Sequence, residues 1–165
     1  RFKKALELVA EDANWGSPIA EGHGRGMAIC NFSGSVCAEV AEVSVYKRGK
    51  PVVHRVDCAI DMGRHVNPDT LKAQVEGCVI WGISIVNKEE ITFKDGRVEQ
   101  SNYDDYRVAR MRDAPLINVR VIDSEQGPYG ADAGLPPTPP AITNAIFAAT
   151  GKRIRRLPIG RQKLV

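Results

Sequence analysis

The chain has 165 residues, of which 43% are apolar, 26% charged and 6% aromatic. This composition excludes a disordered, collagen-like or low-complexity chain and suits one domain with its own core. The net charge is +3, from 23 basic and 20 acidic residues, which is too small to indicate nucleic-acid binding. No stretch approaches the roughly 18 unbroken apolar residues of a membrane span.

The N-terminal segment has a helical pattern followed by three closely spaced glycines. Apolar residues recur at helical spacing at Phe2, Leu6, Val9 and Ala13. This spacing predicts a helix over residues 3–14. Gly22, Gly24 and Gly26 then form G-x-G-x-G, a spacing also found in phosphate-binding loops. Because no strand precedes them and no strong helix follows, we interpret them as a flexible lead into a strand.

The next part of the chain is β-like. Residues 36–45 predict a strand with a bulge near Ala41, where the apolar phase shifts. Residues 47–50 predict a hairpin turn, and residues 52–60 predict the return strand. Two neighbouring strands of this length indicate an antiparallel sheet.

A long helix is predicted from Pro68 to about Ser84. Asn67 is a favoured N-cap residue, and proline is favoured at the first helical position. The helix is apolar around most of its circumference, which predicts that it is buried. Gly77 and Gly82 lie inside it, and each costs about 1 kcal/mol relative to alanine. Close packing or close approach of a ligand would explain them.

The remaining elements complete an α+β order with a mixed or antiparallel sheet and packed helices. Residues 91–100 predict a hairpin around an Asp-Gly turn, and residues 116–122 predict a strand. Residues 124–138 have no regular pattern, as in a functional or disordered loop. Residues 139–150 predict a helix that Thr138 caps and Gly151 ends. Residues 152–165 form a basic tail, which we interpret as solvated or in contact with another chain.

Two places combine polar groups with unusual surroundings. Gln74 and Glu76 lie within the apolar helix, where Gln74 could bind a ligand or the backbone, since its amide both donates and accepts. Asp132 lies among small residues. It is interpreted either as a catalytic carboxylate or as an aspartate that forms a turn.

The cysteines and histidines give weaker indications. Cys30, Cys37, Cys58 and Cys78 form no C-x-x-C pair and have no histidine at zinc spacing, so we predict small core residues and no metal site. The pattern leaves open whether two of these cysteines form a disulfide. His23, His54 and His65 are scattered among different elements and are interpreted as structural. Aromatic residues do not alternate with basic ones, which disfavours an RNA-binding module.

Five stretches occur together and in order: residues 41–45, 61–68, 74–77, 134–137 and 144–153. Taken together they resemble the molybdenum hydroxylases, the xanthine oxidase and aldehyde oxidase family. The likeness is greatest to the molybdopterin-binding large subunit of the isoquinoline 1-oxidoreductase and aldehyde dehydrogenase type. It covers almost the whole chain, as the C-terminal piece of a longer subunit, so we expect a single domain over residues 1–165 that belongs to a larger protein.

The resemblance implies an oxidoreductase that hydroxylates or oxidises an aldehyde or an N-heterocycle. It implies a molybdenum–pterin cofactor, either molybdopterin or its cytosine dinucleotide, and iron–sulfur clusters in a partner subunit that carry electrons away. It also implies the remainder of the large subunit as a partner, and a periplasmic or cytoplasmic location.

The resemblance also assigns the site. Gln74 matches a pterin-contacting glutamine and Gly77 the glycine after it, while Asp132 matches the glutamate that acts as general base. Cys78 and Ala131 stand where the family has glycine, and are placed at the cofactor. Aspartate is one methylene shorter than glutamate, so its carboxylate falls about 1 Å short, a misplacement that can cost about 10²-fold in rate. The alternative is therefore a catalytically degenerate domain of the same fold that binds a partner.

Overall fold

The computed structural model describes residues 1–46, 50–160 and 162–164. Helices and strands follow in the order α1 (Phe2–Asp12), β1 (His23–Phe32), β2 (Ser35–Ser44), β3 (Val52–Asp61), α2 (Pro68–Asn87), β4 (Phe93–Lys94), β5 (Arg97–Val98), β6 (Leu116–Val121) and α3 (Thr138–Thr150). Two short 3-10 helices are Met111–Asp113 and Ala131–Gly134, and the second is called the Asp132 turn below. None of the helices in these ranges is long and apolar enough to cross a membrane.

A four-stranded mixed sheet forms the centre of the molecule, with the strand order β1-β2-β3-β6. Strands β1, β2 and β3 pair antiparallel, whereas β6 pairs parallel to β3. The predicted bulge is confirmed, since the register of β2 shifts between Glu42 and Val43. The predicted hairpin turn at 47–50 lies largely outside the described residues. The α+β prediction is confirmed, and β4 and β5 form the separate Asp-Gly hairpin.

The alternation of side chains along β2 and β3 separates two apolar layers. Helix α1 packs its Ala5 and Val9 on one face of the sheet, against Val36, Ala38 and Val40. Helices α2 and α3 cover the other face, where the larger core includes Cys37, Val43, Val56, Cys58, Ile60, Val75, Val79, Ile142 and Ile146. The functional elements described below all lie on this second face.

The prediction of a flexible, glycine-rich lead into a strand is wrong for Gly24 and Gly26. Strand β1 begins at His23 and contains both glycines. A Cβ on Gly24 or Gly26 would overlap the backbone of α3 near Ala145. These glycines therefore allow α3 to lie directly on β1. The reason is a contact between residues more than a hundred positions apart, which local pattern does not show.

The ends of α2 and α3 follow the predictions in part. Asn67 caps α2, since its Oδ1 accepts hydrogen bonds from the amides of Asp69 and Thr70. Gly151 ends α3 in the left-handed conformation with φ of 73°. The predicted Thr138 cap is wrong: the Thr138 hydroxyl binds Glu39 and the Gly134 carbonyl instead.

Two segments that lacked a pattern are ordered by tertiary contacts. The predicted structureless loop of residues 124–138 contains the Asp132 turn and the start of α3. The C-terminal segment is irregular in its described part, but Ile159 and Leu164 are buried in the main core. The Ile159 amide donates a 2.8 Å hydrogen bond to the Val86 carbonyl at the end of α2. The interpretation of this tail as solvated is therefore wrong for Ile159 and Leu164, and its contact with another chain stays a prediction.

Candidate active site

The middle of α2 presents the first group of predicted site residues. Gly77 and Cys78 follow Gln74 by three and four positions and so lie next to it on the helix surface. Gln74 and Gly77 are exposed, whereas Cys78 is buried. The Gln74 Nε2 atom lies 4.0 Å from the Cys78 Sγ atom. The N-cap at Asn67 fixes where this helix begins and hence which residues face outward.

The predicted burial of Gln74 and Glu76 is wrong for this chain. Only one stripe of α2 packs on the sheet and α3, with Val75, Val79, Ile83 and Val86 at its centre. The opposite stripe carries Gln74, Glu76 and Gly77 and includes Trp81, whose residue surface is 55% exposed. No described residue covers this outer stripe, which mixes polar and apolar residues.

The Asp132 turn forms the second group, and contacts with strands β1 and β2 of the sheet hold it in place. Ser35 Oγ on β2 donates a 2.6 Å hydrogen bond to the Gly130 carbonyl. Cys30 Sγ on β1 lies 3.4 Å from the Ala133 carbonyl oxygen. Within the turn, the Leu135 amide donates to the Asp132 carbonyl at 3.0 Å. Asp132 itself is exposed, and Ala131 is half-buried.

Helix α2 and the Asp132 turn are in direct contact. A Cβ on Gly134 would lie 3.1 Å from Val75 Cγ1 and 3.3 Å from Cys78 Cβ, so the turn lies close against the helix. The Cys78 Sγ atom lies 4.0 Å from the Asp132 carbonyl oxygen. The structure therefore brings Gln74, Cys78 and Asp132, which are far apart in sequence, to one surface.

The buried Cys78 thiol faces the turn and stays protonated. Burial raises the pKa of Cys78, and the nearby Asp132 and Glu39 carboxyl groups raise it further. A thiol in such surroundings is a packing group rather than a nucleophile. All four cysteines are free: Cys37, Cys58 and Cys78 are buried and Cys30 is half-buried, which agrees with their interpretation as small core residues.

Glu39 lies beneath this surface and is completely buried. It is on β2, on the face that packs against α2 and α3, directly opposite Cys58 of β3. Its Oε2 atom lies 2.8 Å from the Thr138 hydroxyl, and among the described residues its Oε1 atom has no hydrogen-bond partner. Burial raises the pKa of Glu39 to about 8, against the smaller opposing effects of Thr138 and Cys58.

Comparison with known proteins assigns the family. A sequence model of the molybdopterin cofactor-binding domain matches residues 4–115. The beta subunit of isoquinoline 1-oxidoreductase from Brevundimonas diminuta is 36% identical over 164 residues, which cover 96% of this chain and 21% of that protein. The chain belongs to the molybdopterin cofactor-binding domain family. A nicotinate dehydrogenase subunit from Pseudomonas putida is 34% identical, over 98% of this chain and 16% of that protein.

Solved structures show the same fold for this molybdopterin-binding family. Quinoline 2-oxidoreductase from Pseudomonas putida 86 superposes with a TM-score of 0.69 at 21% identity, over 76% of this chain and 17% of that one. Aldehyde oxidoreductase from Desulfovibrio gigas superposes with a TM-score of 0.68 at 25% identity, over 79% of this chain and 15% of that one. This chain thus spans about a fifth or less of the length of these proteins.

The exposed face of α2 has space and a free polar group at Gln74 and Gly77, the predicted pterin contacts. No described atom lies within 4 Å of the position that a Cβ on Gly77 would take. Packing within the described part of the chain therefore does not explain this glycine, whereas a closely approaching ligand does. The Gln74 amide has only the long contact to Cys78 there, which leaves its oxygen and an N–H for the edge of a heterocycle. These residues fit the cofactor of the family.

Sequence reasoning missed Glu39, although a signal was present. Residues 37, 39 and 41 share one face of an apolar strand, so period-two alternation alone places a glutamate in the core. It also treated the histidines as scattered, but His23 stacks on His54 with ring centroids 4.9 Å apart. His54 contacts Ser44 at 2.7 Å, and Ser44 is buried. Among the described residues, no group of histidine, cysteine and carboxylate side chains could hold a metal ion.

Proposed function

We propose that this chain is the C-terminal part of a molybdopterin-binding subunit in an oxidoreductase that hydroxylates or oxidises an aldehyde or an N-heterocycle. The observation that carries the proposal is the contact between α2 and the Asp132 turn, in a chain of this family. It joins an exposed amide, an open glycine and an exposed carboxylate on one surface.

Each of these residues has a role in the proposal. Gln74 would bind the edge of the pterin through its amide, and Gly77 would allow the cofactor to lie close to the helix backbone. Cys78 and Ala131 would line the inner side of the same site, next to the Asp132 turn. Asp132, whose carboxylate is exposed, would accept a proton during substrate oxidation.

When bound, a molybdenum–pterin group would supply the redox chemistry, and iron–sulfur clusters in a partner subunit would carry the electrons away. The chain's own contribution is to hold the cofactor and to place a proton acceptor. Hydrogen bonds from Ser35 and the packing of Gly134 on Val75 keep that acceptor in place. A rigid support matters because a general base works only at a fixed distance from its proton.

The exposed apolar residues support the remainder of the large subunit as a partner. Phe93 is 70% exposed, Tyr103 is 96% exposed and Met111 is 91% exposed, all within residues 91–116. Trp81 on the outer stripe of α2 is also exposed. Large apolar side chains exposed in number along one segment favour an interface with another part of the protein. We therefore propose that residues 91–116, called the apolar segment, and the outer stripe of α2 pack against the rest of the large subunit.

The iron–sulfur partner and the compartment remain predictions from the family resemblance. Co-purification of the tagged large subunit would test the partner, since a second chain with iron and sulfide is expected. Fractionation of cells would decide between the periplasm and the cytoplasm.

The decisive experiment combines a metal assay with two substitutions at Asp132. Elemental analysis of the intact assembly should give about one molybdenum per large subunit. Asp132→Asn keeps the shape but removes the proton acceptor, so turnover should fall by about 10²–10⁴-fold with the metal retained. Asp132→Glu restores the missing methylene, and turnover should survive or rise. Turnover absent from wild type and Asp132→Glu alike, in an intact and metal-loaded assembly, would refute the assignment of the base.

One observation favours the alternative, a degenerate domain that serves as a partner-binding module. The Asp132 carboxylate lies against Gly130, where a Cβ would overlap its Oδ1 atom. A turn-forming aspartate adopts such a position without any catalytic role. In that case the wild-type and Asp132→Asn assemblies would both lack turnover, and their metal contents would be equal.

A further inference from the structure

Glu39 is a buried carboxyl group that the proposed mechanism does not use. It has no exposed surface and forms no ion pair within the described residues. The titratable side chains around it are thiols, namely Cys30 on β1, Cys37 on β2, Cys58 on β3 and Cys78 on α2. Helix α3 contributes no titratable side chain, and the Asp132 turn contributes only Asp132 on its exposed side.

The Thr138 hydroxyl connects Glu39 to the Asp132 turn. Thr138 Oγ1 lies 2.8 Å from Glu39 Oε2 and 3.0 Å from the Gly134 carbonyl oxygen. A hydroxyl has one hydrogen to donate, and a carbonyl oxygen can only accept. If the Thr138 hydroxyl donates its hydrogen to the Gly134 carbonyl, it can only accept from Glu39. Oε2 of Glu39 must then carry a hydrogen. A protonated carboxylic acid satisfies both contacts, whereas a carboxylate leaves one of them without a hydrogen.

The second oxygen of Glu39 leads to the same conclusion. Oε1 is buried and has no hydrogen-bond partner among the described residues. An ionised oxygen in such a place is far more costly than the carbonyl oxygen of a neutral acid. The thiols that surround Glu39 are themselves neutral, because burial raises the pKa of each of them. The contact of Oε2 with Thr138 and the lack of a partner for Oε1 therefore both favour a proton on Glu39.

We propose that Glu39 is a positioning residue that, as a neutral acid, holds the Asp132 turn in place through Thr138 and the Gly134 carbonyl. The chain of contacts runs Glu39, Thr138, Gly134, and Gly134 closes the turn that carries Asp132. Its importance for catalysis rests on the proposed function, but the contacts do not. Loss of the proton from Glu39 would turn the Thr138 hydrogen toward the carboxylate and release the Gly134 carbonyl.

Hydrogen exchange of the turn in the intact large subunit tests this proposal. The amides of residues 131–138 are followed in wild type and in Glu39→Gln, which stays neutral and can still donate to Thr138. At about pH 6 the two proteins should exchange alike. At about pH 9 wild type should exchange roughly three- to tenfold faster, the factor expected for losing one hydrogen bond. Comparing proteins at the same pH cancels the intrinsic pH dependence of exchange.

Thr138 provides a second, independent variant. Thr138→Val keeps the methyl group that contacts Gly82 but removes the hydroxyl. It should exchange faster than wild type at about pH 6. At about pH 9 wild type has lost the same hydrogen bond, so the two proteins should exchange alike. Thr138→Ser keeps the hydroxyl and should retain the pH dependence of wild type. These variants decide the question even if Glu39→Gln does not fold.

Two results would overturn the proposal. One is an equal ratio of wild-type to Glu39→Gln or Thr138→Val exchange at both pH values. The other is an infrared spectrum near neutral pH in which Glu39→Gln removes a carboxylate band rather than the C=O band of a protonated acid. Neither readout uses turnover, so an inactive assembly would count against the proposed function and leave the role of Glu39 to be decided by exchange.

Discussion

At the scale of single residues, two glycines of α2 have opposite surroundings. A Cβ on Gly77 would meet no described atom, whereas a Cβ on Gly82 would lie 2.5 Å from Thr138 Cβ. Gly77→Ala should therefore stabilise the isolated chain by up to about 1 kcal/mol, through helix propensity alone. Gly82→Ala should destabilise it by about 1–3 kcal/mol, because α3 must move away. Denaturant unfolding of the two variants measures both effects.

Gly77→Ala also separates stability from cofactor binding. If Gly77 borders the pterin, Gly77→Ala should lower the molybdenum content of the assembled enzyme although it stabilises the chain. A Gly77→Ala assembly with full molybdenum content would show that no ligand approaches this part of the helix. A Gly26→Ala assembly serves as the control, since it should lose stability at the contact of β1 with α3 and leaves the outer stripe of α2 unchanged.

Glu39 gives the chain a specific dependence of stability on pH. Its pKa in the folded state is about 8, above the ordinary value of 4.5. Between these values the folded state keeps a proton that the unfolded state releases, so the free energy of unfolding falls as pH rises. The contribution is complete below about pH 4.5 and is lost by about pH 8. Relative to Glu39→Gln, wild type should lose on the order of 5 kcal/mol across this window.

Urea unfolding of both proteins at several pH values between about 5 and 8.5 checks this expectation. A constant difference between wild type and Glu39→Gln over this range would mean that Glu39 is already ionised in the folded protein, and would contradict the expected loss of stability.

The site could be predicted at this scale only in part. Family-like stretches identified Gln74 and Asp132, and the structure places both beside Cys78. Their local pattern did not show that Gln74 is exposed, because α2 as a whole is apolar enough to predict a buried helix. Whether the outer stripe of α2 is covered depends on which other parts of the protein pack on it, and not on the sequence of the helix itself.

At the scale of elements, the contact of β1 with α3 depends on glycine. A Cβ on Gly26 would overlap the backbone of α3 at Ala141, Asn144 and Ala145. Gly26→Ala should therefore cost about 1–3 kcal/mol or more, because backbone cannot yield as a side-chain end does. Thermal unfolding of Gly26→Ala against Gly77→Ala tests this, and equal stability of the two variants would contradict the close packing.

The elements with a regular period were predicted, and those that depend on distant contacts were not. Helices α1, α2 and α3 and strands β2, β3 and β6 follow their apolar spacing closely. The start of β1 was missed because its glycines are selected by α3, not by the strand. The Asp132 turn was missed because its order comes from Ser35 and from the packing of Gly134 on α2.

At the scale of the whole molecule, the order of elements was enough to predict the α+β class and a mixed sheet. It could not show that β6 joins the sheet parallel to β3, since that pairing follows a crossover through α2 and the apolar segment. It also could not separate surface that is exposed to water from surface that awaits a partner. The apolar segment contains three residues that are at least 70% exposed, which argues for the second kind.

Polar substitutions in the apolar segment should separate folding from assembly. Phe93→Ser and Met111→Ser remove side chains that are 70% and 91% exposed, so each should change the free energy of unfolding of the chain by no more than about 0.5 kcal/mol. If these side chains pack against the rest of the large subunit, each substitution should weaken association by about 1 kcal/mol or more, as loss of buried interface residues does.

Trp15→Ser is the control, since Trp15 is exposed but lies outside the segment, between α1 and β1. The measurement is binding of this chain, separately expressed, to the remainder of the large subunit. Equal affinity for all three variants and wild type would refute the interface, while weaker binding for Phe93→Ser and Met111→Ser alone would locate it.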